Sequence, residues 1–356
     1  MTDYNTIGNK VAVGISGGVD SSVAAYLLKE QGYEVTGVYM QCWDTKADGC
    51  QADRDRSDAV AVASHLGIKF EYLNFVQEYK DRVIDYFYSE YEAGRTPNPD
   101  VMCNKEIKFG LFLDWAMENG YGGVATGHYA RVRRNEGGSY ELLKGVDVSK
   151  DQSYFLYLLG QDQLAKTLFP VGGMIKKELR VLAEKVGIPT FNKPDSMGIC
   201  FVGEVDIREF LKKRLPEING SVVNSEGEVI GKHFGVHFYT IGQRHGFELT
   251  KYVGLPLYVI GKNVEKNELI VGFAKEVNKK EFYAANLHWV SKIPASTFEA
   301  DVRIRHLGEL HRAKVTFEGD TARVTLNDHI FAVAPGQSAV FYDGDVVLGG
   351  GIITAQ

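Results

Sequence analysis

Between an apolar strand pattern at 11–15 and a helical pattern at 23–31 lies Gly14-Ile15-Ser16-Gly17-Gly18-Val19-Asp20-Ser21-Ser22. Two adjacent glycines permit backbone conformations that turn successive N–H groups toward one anion. Ser16, Ser21 and Ser22 add hydroxyl donors, and a helix opening near Ser21 points its positive end at the same spot. That is phosphate-binding chemistry. Asp20 would repel a bare phosphate, so it is expected to cap the helix or to help hold Mg²⁺. The stretch lacks the Lys of a Walker loop and the G-x-G-x-x-G of a dinucleotide loop.

A second kind of chemistry is offered by thiols. Cys103 follows Thr96-Pro97-Asn98-Pro99-Asp100, whose prolines predict a stiff, extended loop. Asn104 reads as the N-cap of a helix over 105–118, which would put Cys103 at a helix N-terminus with Lys105 and Lys108 close by. Both features favour thiolate. Asp100 stands ready to exchange a proton. Cys200 lies in Asp195-Ser196-Met197-Gly198-Ile199-Cys200-Phe201, where Gly198 gives the backbone freedom but the apolar flanks suggest a core position. Cys42 and Cys50 complete no metal pattern and read as structural. His233 and His237 look extended, which would separate the rings by about 13 Å, so no metal site is expected.

The elements needed to position these groups alternate. Strand patterns at 11–15, 35–40, 70–75 and 123–126 are separated by helical ones, which implies an α/β domain with a doubly wound parallel sheet. The ends of its strands form the ligand edge. Met40 ends the second strand and Gly127-His128-Tyr129 the fourth, so both fall on that edge. Residues 131–145 read as an inserted hairpin around Asn135-Glu136-Gly137-Gly138. After 205 the pattern turns to β, and a charged stretch at 275–281 marks a second boundary. Residues 1–205, 206–277 and 278–356 are therefore expected as a catalytic domain, a small mainly-β central domain and a C-terminal β-barrel of short strands.

Bulk properties narrow the class. The 356 residues are 44% hydrophobic and 24% charged, as in soluble globular chains. No apolar run approaches the ~20 residues of a membrane span, and the first ten residues lack a signal-peptide core, so a cytoplasmic protein is expected. The net charge of −6 means that any nucleic-acid contact must use a local basic patch. Residues 302–314, with Arg303, Arg305, Arg312 and Lys314, are one candidate; Lys176, Lys177, Arg180, Arg208, Lys212, Lys213 and Arg214 are others.

The loop at 14–22 resembles the S-G-G-x-D-S loop of ATP pyrophosphatases. Further stretches, in order along the chain, resemble one family within them, the bacterial tRNA-specific 2-thiouridylases. They are Thr96–Asp100 through Cys103–Phe109, Thr126–Tyr129, Lys150–Leu156, Asp195-Ser196 with Ile199–Phe201, Tyr239–Arg244 and Pro335-Gly336-Gln337. The resemblance implies an adenine nucleotide α-hydrolase-like catalytic domain that uses ATP and Mg²⁺. It implies ATP contacts at Gly14, Ile15, Ser16, Gly17, Gly18, Val19, Asp20, Ser21, Met40 and Gly127, and target-base contacts at Asn98, Pro99 and Asp100. Cys103 would be the nucleophile, Cys200 the persulfide carrier and Asp100 a catalytic partner. His128, Lys150, Asp151, Gln152, Arg303, Ile304 and Gln337 would meet tRNA. Where the family usually reads Arg-Tyr-Arg, this chain has Arg303-Ile304-Arg305, so an aromatic contact at 304 is lost. The implied activity adenylates O2 of the wobble uridine and replaces that oxygen with sulfur. Implied partners are the anticodon stem-loop of Lys, Glu or Gln tRNAs and a sulfur donor, either a cysteine desulfurase or a relay protein, acting with a monomer. Two rivals remain: another ATP-pyrophosphatase synthetase, which needs neither thiol, and a nucleotide-binding module without chemistry.

Overall fold

Apolar runs such as Val11-Ala12-Val13 and Val35–Met40 are buried on both faces, as strands in the middle of a parallel sheet must be. A computed structural model describes residues 7–43, 51–195, 198–203, 205–251, 254–292 and 295–354. Strands β1 (Lys10–Gly14), β2 (Glu34–Gln41), β3 (Lys69–Asn74), β4 (Gly123–Ala125) and β7 (Thr167–Leu168) form a parallel sheet in the order 3-2-1-4-7. Helix α1 (Val19–Glu30) and helix α2 (Gln51–Leu66) pack on one face. The other face carries a long helical run over 99–118 and the aromatic core around Tyr79, Phe87 and Phe112. The strand order reverses between β1 and β4, which opens a crevice at their C-terminal ends.

The inserted hairpin is present as β5 (Ala130–Arg134) and β6 (Tyr140–Lys144). It does not stay with the parallel sheet. Through β6 it pairs with Val346–Ile353, the last strand of a C-terminal barrel. That barrel closes on itself because Asn278–Trp289 pairs with both Thr321–Phe331 and Val346–Ile353. Its strands were expected to be short, but two of them span 12 and 11 residues. Register shifts bend them around the barrel. The charged stretch at 275–281 has regular structure. It is a short helix, Ala274–Val277, followed directly by the first barrel strand. Between catalytic sheet and barrel, a five-stranded sheet spans Gly220–Gly272 around buried Val222, Ile230, Tyr239, Val259 and Leu269.

Three consecutive residues tie these parts together. Lys150 pairs with Asp195 at 2.7 Å, Asp151 with Arg303 at 2.7 Å, and Gln152 accepts the Tyr129 N–H at 3.0 Å. A second clamp comes from the barrel. Gln337 donates to the carbonyls of Thr96 and Pro97, both at 3.0 Å, and Thr96 donates to Pro335 O at 2.8 Å. Gly336 makes this approach possible, since a Cβ there would lie 2.9 Å from Thr96 N and O.

Candidate active site: a phosphate loop beside a thiol core

The loop after β1 takes its shape from Gly17, whose φ of +74° strains any other residue. A Cβ there would also lie 2.6 Å from Asp55 O. Serine hydroxyls fix the turn: Ser21 and Ser22 Oγ donate to Gly18 O at 3.1 and 2.8 Å, and Ser16 N donates to Ser21 Oγ at 3.2 Å. Gly127 packs directly on this turn, with no room for a side chain between it and Ser21 N. Met40 is buried, and its Cε would lie 3.1 Å from a Cβ at Gly14.

Asp20 does not cap α1; Gly18 holds that position, without a side-chain bond. Its carboxylate instead receives Lys176 Nζ at 2.7 and 2.8 Å and the Tyr129 hydroxyl at 3.0 Å. Lys176 also reaches Asp195 at 2.8 Å, and Arg180 meets Asp195 at 2.6 Å. Burial works to raise the Asp195 pKa, but Lys150, Lys176 and Arg180 outweigh it and hold the carboxyl well below its ordinary range. Lys176 was read as a surface charge for RNA. It is buried beside the phosphate loop, a placement no local pattern in the sequence announces.

Asp195 starts a strap that runs from the nucleotide loop to the thiols. Lys193 anchors its near end to Asp55 and Asp58 of α2, at 2.7 and 2.6 Å. Ser196 and Met197 lie outside the described residues. The far end is a tight turn: Ile199 pairs with Gly203, Gly198 has φ +92° and Phe201 has φ +65°. Such a φ is costly for Phe and marks a turn held by its surroundings. Two bonds hold it. Cys200 N donates to Asp100 Oδ1 at 2.9 Å, and the Tyr79 hydroxyl donates to Cys200 O at 2.6 Å.

This turn brings Cys200 beside Cys103, close enough for the two thiols to interact, although they stand 97 positions apart in the chain. Cys103 is fully buried and Cys200 partly exposed. Cys103 does not sit at a helix N-terminus, as its neighbours had suggested. The helix begins at Pro99, with Asn98 as N-cap accepting from Val101 N at 3.3 Å. Asn104 is an interior residue, and Lys105 pairs outward with Glu106 at 3.1 Å. Burial, and then the bond with Cys200, push the Cys103 thiol well up from its ordinary pKa. Cys42 is a third buried thiol in the same core; Cys50 lies outside the described residues.

His128 links the two halves. Its backbone follows Gly127 on the phosphate loop, while its ring faces Lys108 Nζ at 3.5 Å and Thr126 Oγ1 at 2.7 Å. Burial, then the Lys108 ammonium, push its pKa well down, so the ring is neutral. An ammonium can only donate, so Nε2 accepts and Nδ1 carries the proton toward Thr126.

Other residues expected to meet RNA are placed differently. Asp151, Arg303 and Ile304 are almost wholly buried, the first two as an ion pair and the third in the barrel core. Gln337 spends its amide donors on the Thr96–Pro97 loop. Lys150 and Gln152 remain partly exposed. Arg312 is engaged by Glu299 and Asp301.

The sheet order, the crevice and the serine-glycine turn define an adenine nucleotide α-hydrolase-like domain, here carrying a pair of thiols. Known families match the chain in three parts. The tRNA methyl transferase HUP domain covers residues 9–204, the tRNA methyl transferase PRC-barrel domain 208–273, and the aminomethyltransferase beta-barrel domain 279–353. Proteins named tRNA-specific 2-thiouridylase MnmA, from Streptococcus uberis and Streptococcus pyogenes serotype M4, are each 47% identical over 99% of this chain and 96% of their own. Among solved structures, the U34-tRNA thiolase NcsA from Methanococcus maripaludis aligns over 57% of this chain and 63% of its own, at 18% identity and a TM-score of 0.36. The chain belongs to the tRNA-specific 2-thiouridylase family.

Proposed function

We propose that this protein is an ATP-dependent tRNA sulfurtransferase that makes 2-thiouridine at the wobble position. One observation carries this reading. The thiols of Cys103 and Cys200 meet beside Asp100, and His128 joins that core to the phosphate loop without a break.

ATP lies with its phosphates on the Gly14–Ser21 turn and its adenine toward Met40, and Lys176 faces the pyrophosphate. Asp20 would hold Mg²⁺ by releasing Lys176, and the ion would offset phosphate charge. Asn98, Pro99 and Asp100 receive the uracil, flipped from the anticodon loop at a cost of a few kcal/mol. Uridine O2 attacks the α-phosphorus and pyrophosphate leaves. The terminal sulfur of a Cys200 persulfide then attacks C2, and AMP departs with the former O2. Cys103 attacks Cys200 Sγ, the S–S bond breaks toward the uracil, and the thione is left. The two cysteines end as a disulfide, which an external thiol must reduce.

The sulfur comes from a cysteine desulfurase or a relay protein, and the tRNA docks with the partly exposed Lys150 and Gln152 nearest the base. We further assign residues 1–205 to catalysis and 206–277 and 278–356 to holding the tRNA, in a monomer of the cytoplasm. Among the described residues, no helix is long and apolar enough to cross a membrane.

Mass spectrometry of the tRNA wobble nucleoside tests this, after incubation with ATP, Mg²⁺ and a persulfide source. The expected result is 2-thiouridine with stoichiometric AMP. AMP without thiolation would favour another synthetase of this fold, and neither product would favour a binding module.

A further inference from the structure

Lys108 has no role in the steps above, yet it occupies the centre of the thiol core. Its Nζ lies 3.6 Å from Cys200 Sγ, 3.5 Å from His128 Nε2 and 5.7 Å above the Phe201 ring. Local helix geometry puts it there. Cys103 and Lys108 are five residues apart, which on an α-helix would splay them by about 140°. The run Asn104–Leu111 is a π-helix. Its i→i+5 bonding returns residues five apart to one face, so Lys108 follows Cys103 toward Cys200.

The charge balance of this core is incomplete. Among the described residues Lys108 makes no ion pair, and Asp100, the carboxylate that acts on it, is bonded to Cys200 N. His128 is neutral and offers only a lone pair. Burial works to lower the Lys108 pKa, but Cys200, Cys103 and Asp100 outweigh it and raise it. Lys108 is half-buried, and an ammonium there without a counter-charge is costly. The group it faces at shortest range that can become an anion is the Cys200 sulfur.

We propose that Lys108 is a catalytic residue, the cation that holds the Cys200 sulfur, and the terminal sulfur of a Cys200 persulfide, as an anion within the thiol core. A sulfur anion is the attacking species in both loading and transfer. Lys108 keeps its proton throughout, and no atom is exchanged with it. The role rests on the sulfurtransferase reading for its meaning, but not for its test.

The test is iodoacetamide labelling of the reduced full-length protein at neutral pH, with the labelled cysteine located by mass spectrometry. Lys108→Gln is expected to slow labelling of Cys200 by about tenfold or more, because thiolate rather than thiol reacts. Lys108→Arg, which keeps the charge, is expected to restore most of the rate. Lys108→Met fills the same half-buried path without charge and serves if Gln disturbs folding. ATP binding should stay at the wild-type value in all three, which a general loss of structure would not allow. Unchanged Cys200 labelling in the Gln and Met variants overturns the proposal. If the wild type makes no 2-thiouridine, the sulfurtransferase reading falls, while the labelling still decides what Lys108 does.

Discussion

The phosphate loop and the thiol core meet at His128 but are built by opposite means. The loop is contiguous, rich in glycine and serine and held by short-range serine bonds within a single turn. The thiol core draws Cys103, Lys108, His128 and Cys200 from distant stretches and seals them among Tyr79, Phe109 and Phe201. Phosphates need many N–H and O–H donors that water can reach. A reactive sulfur needs the reverse, a site where hydrolysis and stray oxidation are shut out. The difference explains why Cys103 is buried while Cys200, on a strap with anchors at both ends, is partly open. It must be loaded from outside and then meet a buried partner.

Separate damage to each region is the way to break this contrast. The largest effect is expected from Cys103→Ser or Cys200→Ser. Loss of a reacting thiol should lower 2-thiouridine formation by on the order of 10³ or more, while ATP binding by calorimetry stays unchanged. A matching loss of ATP affinity would show that the two regions are one unit.

Asp151→Ala strikes the anchor behind both. It strands a buried Arg303, which should cost about 3–5 kcal/mol in urea unfolding, against well under 1 kcal/mol for an exposed pair such as Lys232–Glu248.

Gly17→Ala should do the reverse of the cysteine changes. The left-handed φ costs roughly 1–2 kcal/mol, and the clash with Asp55 O adds to it. Nucleotide binding should weaken by about tenfold or more, with thiol labelling unaltered.

The smallest effect concerns acid. Asp195 is held below its unfolded pKa, so its stabilising contribution is complete above about pH 4 and is lost as pH falls toward the depressed value. Limited proteolysis by an acid-stable protease should show cuts within 193–203 rising below pH 4 in the wild type. In Asp195→Asn such cuts should already be present at neutral pH.

Much of this could be read before any coordinates. The turn at 14–22 was legible because its shape lies in backbone freedom and hydroxyls within nine residues, and Gly17 takes the positive φ that glycine adopts freely. The parallel sheet followed from the alternation of strand and helix patterns. The start of the Cys103 helix was misjudged. Asn98-Pro99 was taken for a stiff loop, when an N-cap followed by Pro at the first helical position is itself a start signal. The Asp20–Lys176–Asp195 chain was invisible because its members are 156 and 19 residues apart, and charges carry no address. Arg303 looked like a surface cation because its type says so. Only the packing of the barrel against Lys150–Gln152 reveals that its charge is internal.

The borrowed hairpin has a consequence for how the chain is made. Strands β5 and β6 leave the ribosome long before Val346, the strand they will join, exists. Until then the hairpin has a naked rim, a hazard for sticking to other chains. Arg131, Arg133 and Arg134 lie on β5 and put positive charge on the hairpin's other edge. The nascent catalytic domain thus carries an open docking edge on β6, and synthesis of the barrel is what finally closes it.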